Sequence, residues 1–170
     1  MARIELITAD TELTADAGSV AERIVETRGE ITRPFQVLLH SPALAERVAE
    51  LGHLVRSGSS LSDGDRELAT LATGSATGCR FVWTSHLEAS SAAGLSAETV
   101  ASLDGDRGSL APRDATLVAF VDELSSTGKV SAETYAAAHD VLGTRAVVEL
   151  ALTVGYYTML ARVMGAVEAC

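Results

Sequence analysis

The chain has 170 residues, 47% of them hydrophobic and 4% aromatic, and a formal net charge of −10 from 23 acidic and 13 basic side chains. That length is read as one domain over 1–170 with room for a full core, and that apolar fraction excludes wholesale disorder. The acidic balance excludes a nucleic-acid partner, since phosphate binding needs concentrated Lys and Arg, and no apolar run reaches the roughly 20 residues of a membrane-spanning helix.

The start, MARIELITADTELTADAG, lacks a basic-then-apolar signal pattern, so a cytoplasmic protein is expected. Residues 1–18 read as an extended arm, with Arg3-Ile4-Glu5-Leu6-Ile7 as a strand-like stretch. A first helix is expected over 18–30, with Ser19 as N-cap, Glu22 completing a capping box and Gly29 as its stop. Pro34 and Pro42 each suit a helix's first turn, giving a short helix over about 34–40 and a longer one over about 42–56 capped by Ser41. Ser62, with Asp65 three positions on, opens the next helix, which breaks at Thr77-Gly78. A further helix follows over about 79–93 and stops at Gly94. Ser96 caps another, Pro112 and Asp114 open one that ends at Gly128, and Ser131 with Thr134 opens one that ends at Gly143. Thr144 then caps a long helix that is apolar over nearly its whole circumference between Val147 and Val163, and that is expected to be buried on all sides, partly inside the monomer and partly at a subunit contact. No strand pair, repeat or linker is found. The expectation is an all-α domain of seven or eight helices, forming an oligomer.

The chemistry-bearing stretch is Glu67 to His86, ELATLATGSATGCRFVWTSH, which contains the only tryptophan. Taken singly, Cys79 reads as a small buried hydrophobe, Trp83 as core, Glu67 as a solvated helix residue and His86 as a satisfied histidine. Together they form a pattern. Cys79, Val82, Trp83 and His86 fall at i, i+3, i+4 and i+7 on one helix face, and Glu67 lies on the preceding helix. Cys79 at a helix N-terminus suits a thiolate. Seven residues rise about 10.5 Å, so Cys79 and His86 cannot form a direct nucleophile–base pair on a straight helix. They can still line two ends of one pocket with the Trp83 ring as its wall. Glu67 is placed to reach His86 and fix its tautomer, which suits acid–base work by the histidine. Cys79 and Cys170 make neither a disulfide framework nor a metal site, and both are read as thiols. No phosphate-cradling Gly loop, metal spacing or nucleophile elbow is present. Arg33, beside Pro34, is a candidate for holding a substrate carboxylate, with a plain surface arginine as the blander reading.

At these residues the chain resembles the carboxymuconolactone decarboxylase family, within the alkylhydroperoxidase D-like superfamily. That superfamily's Glu, Cys twelve later and His seven further on are matched by Glu67, Cys79 and His86, and the decarboxylase branch's Gly-Cys-x-aromatic-Glu-Trp-x-x-His is matched by Gly78 to His86 at every named position except the Glu, where this chain has Val82. The flanks extend the resemblance over about residues 25–168. The peroxidase branch has a second cysteine where this chain has Val82, which removes the Cys-x-x-Cys disulfide and leaves only Cys170 as a thiol that could resolve one. The decarboxylase branch has Glu at that position, so Val82 also removes an acid from its pocket.

The resemblance implies an alkylhydroperoxidase D-like bundle assembled as a homo-oligomer (a dimer, trimer or hexamer), acting on a small molecule with no cofactor and no metal. It implies a lyase acting on a lactone or enolisable carboxylic acid. His86 would move the proton, Glu67 would orient it, Cys79 or the helix-start N–H groups would hold the anion, and Trp83 with Val82 would line the substrate. Two readings of other classes stand beside it: a Cys79-based peroxidase, antioxidant or redox sensor, and a non-catalytic oligomeric binding module.

Overall fold

The computed structural model describes residues 2–170, which contain eight helices and no strand. They are α1 (Ala15–Arg28), α2 (Arg33–Leu38), α3 (Pro42–Ser57), α4 (Asp63–Thr77), α5 (Arg80–Ala92), α6 (Ala97–Asp104), α7 (Pro112–Thr127) and α8 (Ala132–Ala166), with one 3-10 turn at Arg107–Ser109. The all-α expectation holds. The helices group into two compact units: Met1–Gly58 together with Arg162–Cys170, and Ser59–Ala161.

In the first unit α1 begins earlier than the sequence suggested. Thr14 is the N-cap, its hydroxyl accepting from the Ala17 N–H, whereas Ser19 lies inside the helix and donates to the Asp16 carbonyl. Both hydroxyls precede a plausible helical run, and the earlier one captures an orphan N–H. Gly29 does stop the helix, at φ 82°. The arm forms no strand. The Ile7 N–H donates to the Gln36 carbonyl, and the Ile7 side chain packs with Val20, Ile24, Phe35 and Leu39 in this unit's core. Pro42 opens α3 as expected, but Ser41 makes no side-chain cap bond.

The second unit is built around α4, which packs against α5, α6 and α7. Leu68, Leu71 and Ala72 join Leu103, Leu117, Val121, Leu150 and Val154 in one core. Thr70 and Thr73 are buried with them. Their hydroxyls donate to the carbonyls of Arg66 and Ala69, four residues back, so neither is buried unsatisfied. The helix starts where Ser62 accepts from the Asp65 N–H and ends at Gly78, φ 66°.

α8 is interrupted at Gly143, whose φ 77° and ψ 168° are not helical, so the stretch is two helices meeting at the position the sequence marked. Within the single chain its second part is buried along one side. Val147, Leu150, Val154 and Leu160 face the interior, while Val148 (62% exposed), Leu152 and Met159 stay in solvent. The inward half of the expected burial is present within the chain, and the exposed stripe is the part that expectation gives to a subunit contact.

Candidate functional site

Glu67 sits in the middle of α4 and is 5% exposed. A carboxylate at that depth needs partners. It has two: Oε2 lies 2.7 Å from His86 Nδ1, and Oε1 lies 3.7 Å from Arg66 Nε. An ionised carboxylate only accepts, so Nδ1 carries the hydrogen and donates it to Oε2, leaving Nε2 as the nitrogen available for chemistry. The edge of the Tyr157 ring, from α8, meets His86 at 5.0 Å between centroids and 87° between planes. Tyr157 in turn stands edge-on to Tyr156. These contacts fix the imidazole plane.

The α4–α5 approach that makes this possible depends on Gly74. A Cβ there would lie 3.1 Å from the Trp83 backbone nitrogen and 3.2 Å from Val82 Cγ1, so only glycine lets the helices lie this close without displacement. Gly78 in the left-handed conformation then turns the chain, and the Cys79 N–H closes back onto the Gly74 carbonyl. Cys79 is the N-cap of α5, as expected, and is buried.

The expectation of free thiols is corrected: Cys79 and Cys170 are both in disulfide form, and there is no free cysteine. A disulfide sulfur has no thiolate to offer as it stands. Val82 and Trp83 are both buried. Trp83 borders a groove of about 560 Å³ together with Leu87, Leu95, Val100 and Asp104, and neither Glu67, Cys79 nor His86 lines that groove. Arg33, at the start of α2, is exposed and belongs to the first unit. Among the described residues no group of three or more His, Cys, Asp or Glu side chains could hold a metal.

Two features of the site were not read from the sequence. Tyr157 arrives from a helix far along the chain, and no local spacing announces it. Arg66 adjoins Glu67, but a basic residue in the first turn of a helix reads as surface.

The second carboxylate of α4, Asp65, is buried and receives a bidentate contact from Arg113 of α7, with the Nη2–Oδ2 bond at 2.9 Å. Burial alone would raise its pKa. The hydrogen bonds from Arg113 and Ser62 outweigh that and hold the carboxyl below its ordinary range. This pair fixes α4 against α7.

Residues 42–120 match the Carboxymuconolactone decarboxylase family, so the resemblance read from the sequence holds over that segment. The flanks it also took in, 25–41 and 121–168, lie outside the match. No curated protein is similar enough to count as a relative. Solved structures share the fold. One is an alkylhydroperoxidase AhpD core, an uncharacterized peroxidase-related protein from Ralstonia eutropha, with TM-score 0.80, 15% identity, and 99% of this chain and 91% of that one covered. Another is an uncharacterized peroxidase-related protein from Silicibacter, with TM-score 0.79, 16% identity, and 98% and 90% covered. A third is a protein of unknown function from Agrobacterium tumefaciens, provisionally assigned to antioxidant defence as AhpD, with TM-score 0.71, 18% identity, and 77% and 92% covered.

Proposed function

From a chain whose residues 42–120 carry the carboxymuconolactone decarboxylase pattern, we propose an acid–base enzyme that needs no cofactor and acts on a small lactone or enolisable carboxylic acid. The observation that carries this reading is the 2.7 Å contact between Glu67 Oε2 and His86 Nδ1, which leaves Nε2 as the proton-handling atom. In a decarboxylation the bond to the carboxylate carbon breaks and CO2 leaves. The electron pair spreads onto the lactone carbonyl as a dienolate. Protonated His86 then delivers its Nε2 proton to carbon and is reprotonated from solvent. In this reading backbone N–H groups at the start of α5 stabilise the anion. The test is CO2 release from a γ-carboxylated butenolide such as carboxymuconolactone, with His86→Ala beside the parent. Turnover that the variant retains in full would sink the reading.

A second reading is favoured by one observation: both cysteines are in disulfide form. In it, the reduced Cys79 thiolate attacks a hydroperoxide, releasing the alcohol and leaving a sulfenic acid. A second thiol condenses with that sulfenic acid, releasing water and forming a disulfide, and an external dithiol restores both thiols. The fold it shares with an alkylhydroperoxidase AhpD core is compatible with such chemistry. Reduced protein that consumes no peroxide, and whose Cys79 partner by peptide mapping is unaffected by peroxide, would remove it.

We also infer self-association through α8. Within 146–161 the single charged side chain is Glu149, in a chain of net charge −10, so two copies can meet there with little repulsion. The exposed Val148, Leu152 and Met159 lie on that stretch.

A further inference from the structure

Arg66 presents an anomaly that neither the fold nor the proposed reaction has so far used. Its side chain is 12% exposed, and its Nε is buried with no hydrogen-bond partner. A guanidinium nitrogen left in that state is costly unless its charge serves something nearby. One end of the guanidinium is held by Asp63, with Nη2 to Oδ1 at 2.7 Å. The orphan Nε stands 3.7 Å from Glu67 Oε1, close enough for charge to act and too far for a hydrogen bond. The far oxygen of the same carboxylate is the one bonded to His86.

We propose that Arg66 is a positioning residue whose charge keeps Glu67 ionised through both protonation states of His86, so that the imidazole alone carries the proton. This rests on the acid–base reading of the site and adds to it. A buried Glu67 balanced by His86 alone would hold that histidine as an imidazolium, because neutralising the imidazole would strand an uncompensated carboxylate. With Arg66 beside it, the carboxylate keeps a counter-charge when His86 gives up its Nε2 proton, and Nδ1–H continues to donate to Oε2. The Nε contact can shorten at that moment, since Nε has no other partner to release.

The groups that meet Glu67 and His86 come from two elements. From α4 there is Arg66, itself held by the exposed Asp63. From α8 there is the Tyr157 ring edge. The nearest charges along α5 itself, Arg80 and Glu88, are exposed.

The test is an NMR titration of the four histidines in the full chain, with the His86 signal assigned from His86→Gln. Arg66→Gln is expected to move the His86 titration to higher pH than in the parent, and Arg66→Lys to restore it towards the parent. A merely structural arginine would not produce that pair of results. An unmoved or lowered midpoint in a folded Arg66→Gln protein would overturn the proposal. Should Arg66→Gln not fold, Asp63→Asn decides. Asp63 is exposed, and its loss leaves the Arg66 charge undivided on Glu67, so the His86 titration moves to lower pH; no movement would overturn the proposal equally. The titration needs no substrate. Failure of the lactone assay with a shifted titration in Arg66→Gln would therefore sink the decarboxylase reading and leave the role of Arg66 standing.

Discussion

The two buried carboxylates of α4 are one residue apart from being neighbours, yet their chemistry differs because their partners differ. Asp65 meets an arginine that is half in solvent, its side chain 52% exposed, while the aspartate itself is buried. Removing one partner is therefore not equivalent to removing the other. Asp65→Asn leaves Arg113 hydrated and should cost about 1.5 kcal/mol, the loss of charge-assisted hydrogen bonds. Arg113→Met leaves an unpaired buried carboxylate and should cost about 3 kcal/mol. Urea denaturation of the two variants checks the order, and equal costs would contradict it. The pH dependence follows from the same pair. The folded carboxyl titrates below its ordinary range, so its contribution to stability is fully present above that range and is lost as pH falls through the lowered value. In Arg113→Met burial is opposed only by the Ser62 hydrogen bond, so the acid-linked loss carried by this pair should shrink: the variant, weaker at neutral pH, should lose less stability than the parent as pH falls, followed by circular dichroism. For His86→Ala the expectation is a loss of 10²-fold or more in turnover, about what a positioned proton donor supplies, with the helical spectrum unchanged.

At the scale of elements, the closest approach is the one between α4 and α5, and Gly74 sets it. Gly74→Ala would gain about 1 kcal/mol of helix propensity and set it against a Cβ meeting Trp83 backbone at 3.1 Å, an overpacking cost of about 1–3 kcal/mol. The clash involves backbone, which cannot rotate away, so a lower melting temperature is expected. Gly155 gives the contrasting case. It is helical, and a Cβ there would meet nothing within 4 Å inside the chain. Gly155→Ala should therefore raise the stability of the single chain by up to about 1 kcal/mol. Because Gly155 shares the exposed face of Val148, Leu152 and Met159, the same change should weaken self-association. Light scattering behind size exclusion checks this, with Leu152→Glu as the stronger disruption, and a monomeric parent would remove the inference.

Over the whole molecule, what could be read in advance was what is decided locally. Gly29, Gly78, Gly128 and Gly143 were marked as stops, and all four have positive φ, because a residue that leaves a helix through the left-handed region has few alternatives to glycine. Ser62 and Ser96 were recognised as caps for the same reason, and each accepts the expected N–H. The Glu67–His86 contact was legible because twelve and seven positions on two adjoining helices put both side chains on the shared face. What escaped notice depends on residues far apart. Thr14 and Ser19 compete for one role that only the packed helix decides. Gly74 looks like a weak point in a helix until the backbone of Trp83 is seen beside it. Tyr157 reaches His86 through a fold, not a spacing. The stripe of α8 that stays exposed within the chain is the face for which the sequence reading expects a subunit contact.

The nearness of Trp83 to Gly74 has a spectroscopic consequence. The chain has one tryptophan, and it sits on the helix whose distance from α4 determines whether Glu67 reaches His86. Its emission is therefore a local gauge of that helix pair, unmixed with signal from any second indole. A ligand or a mutation that opens the α4–α5 seam would change the fluorescence before the helical content changes, so the integrity of the dyad can be followed optically without a substrate.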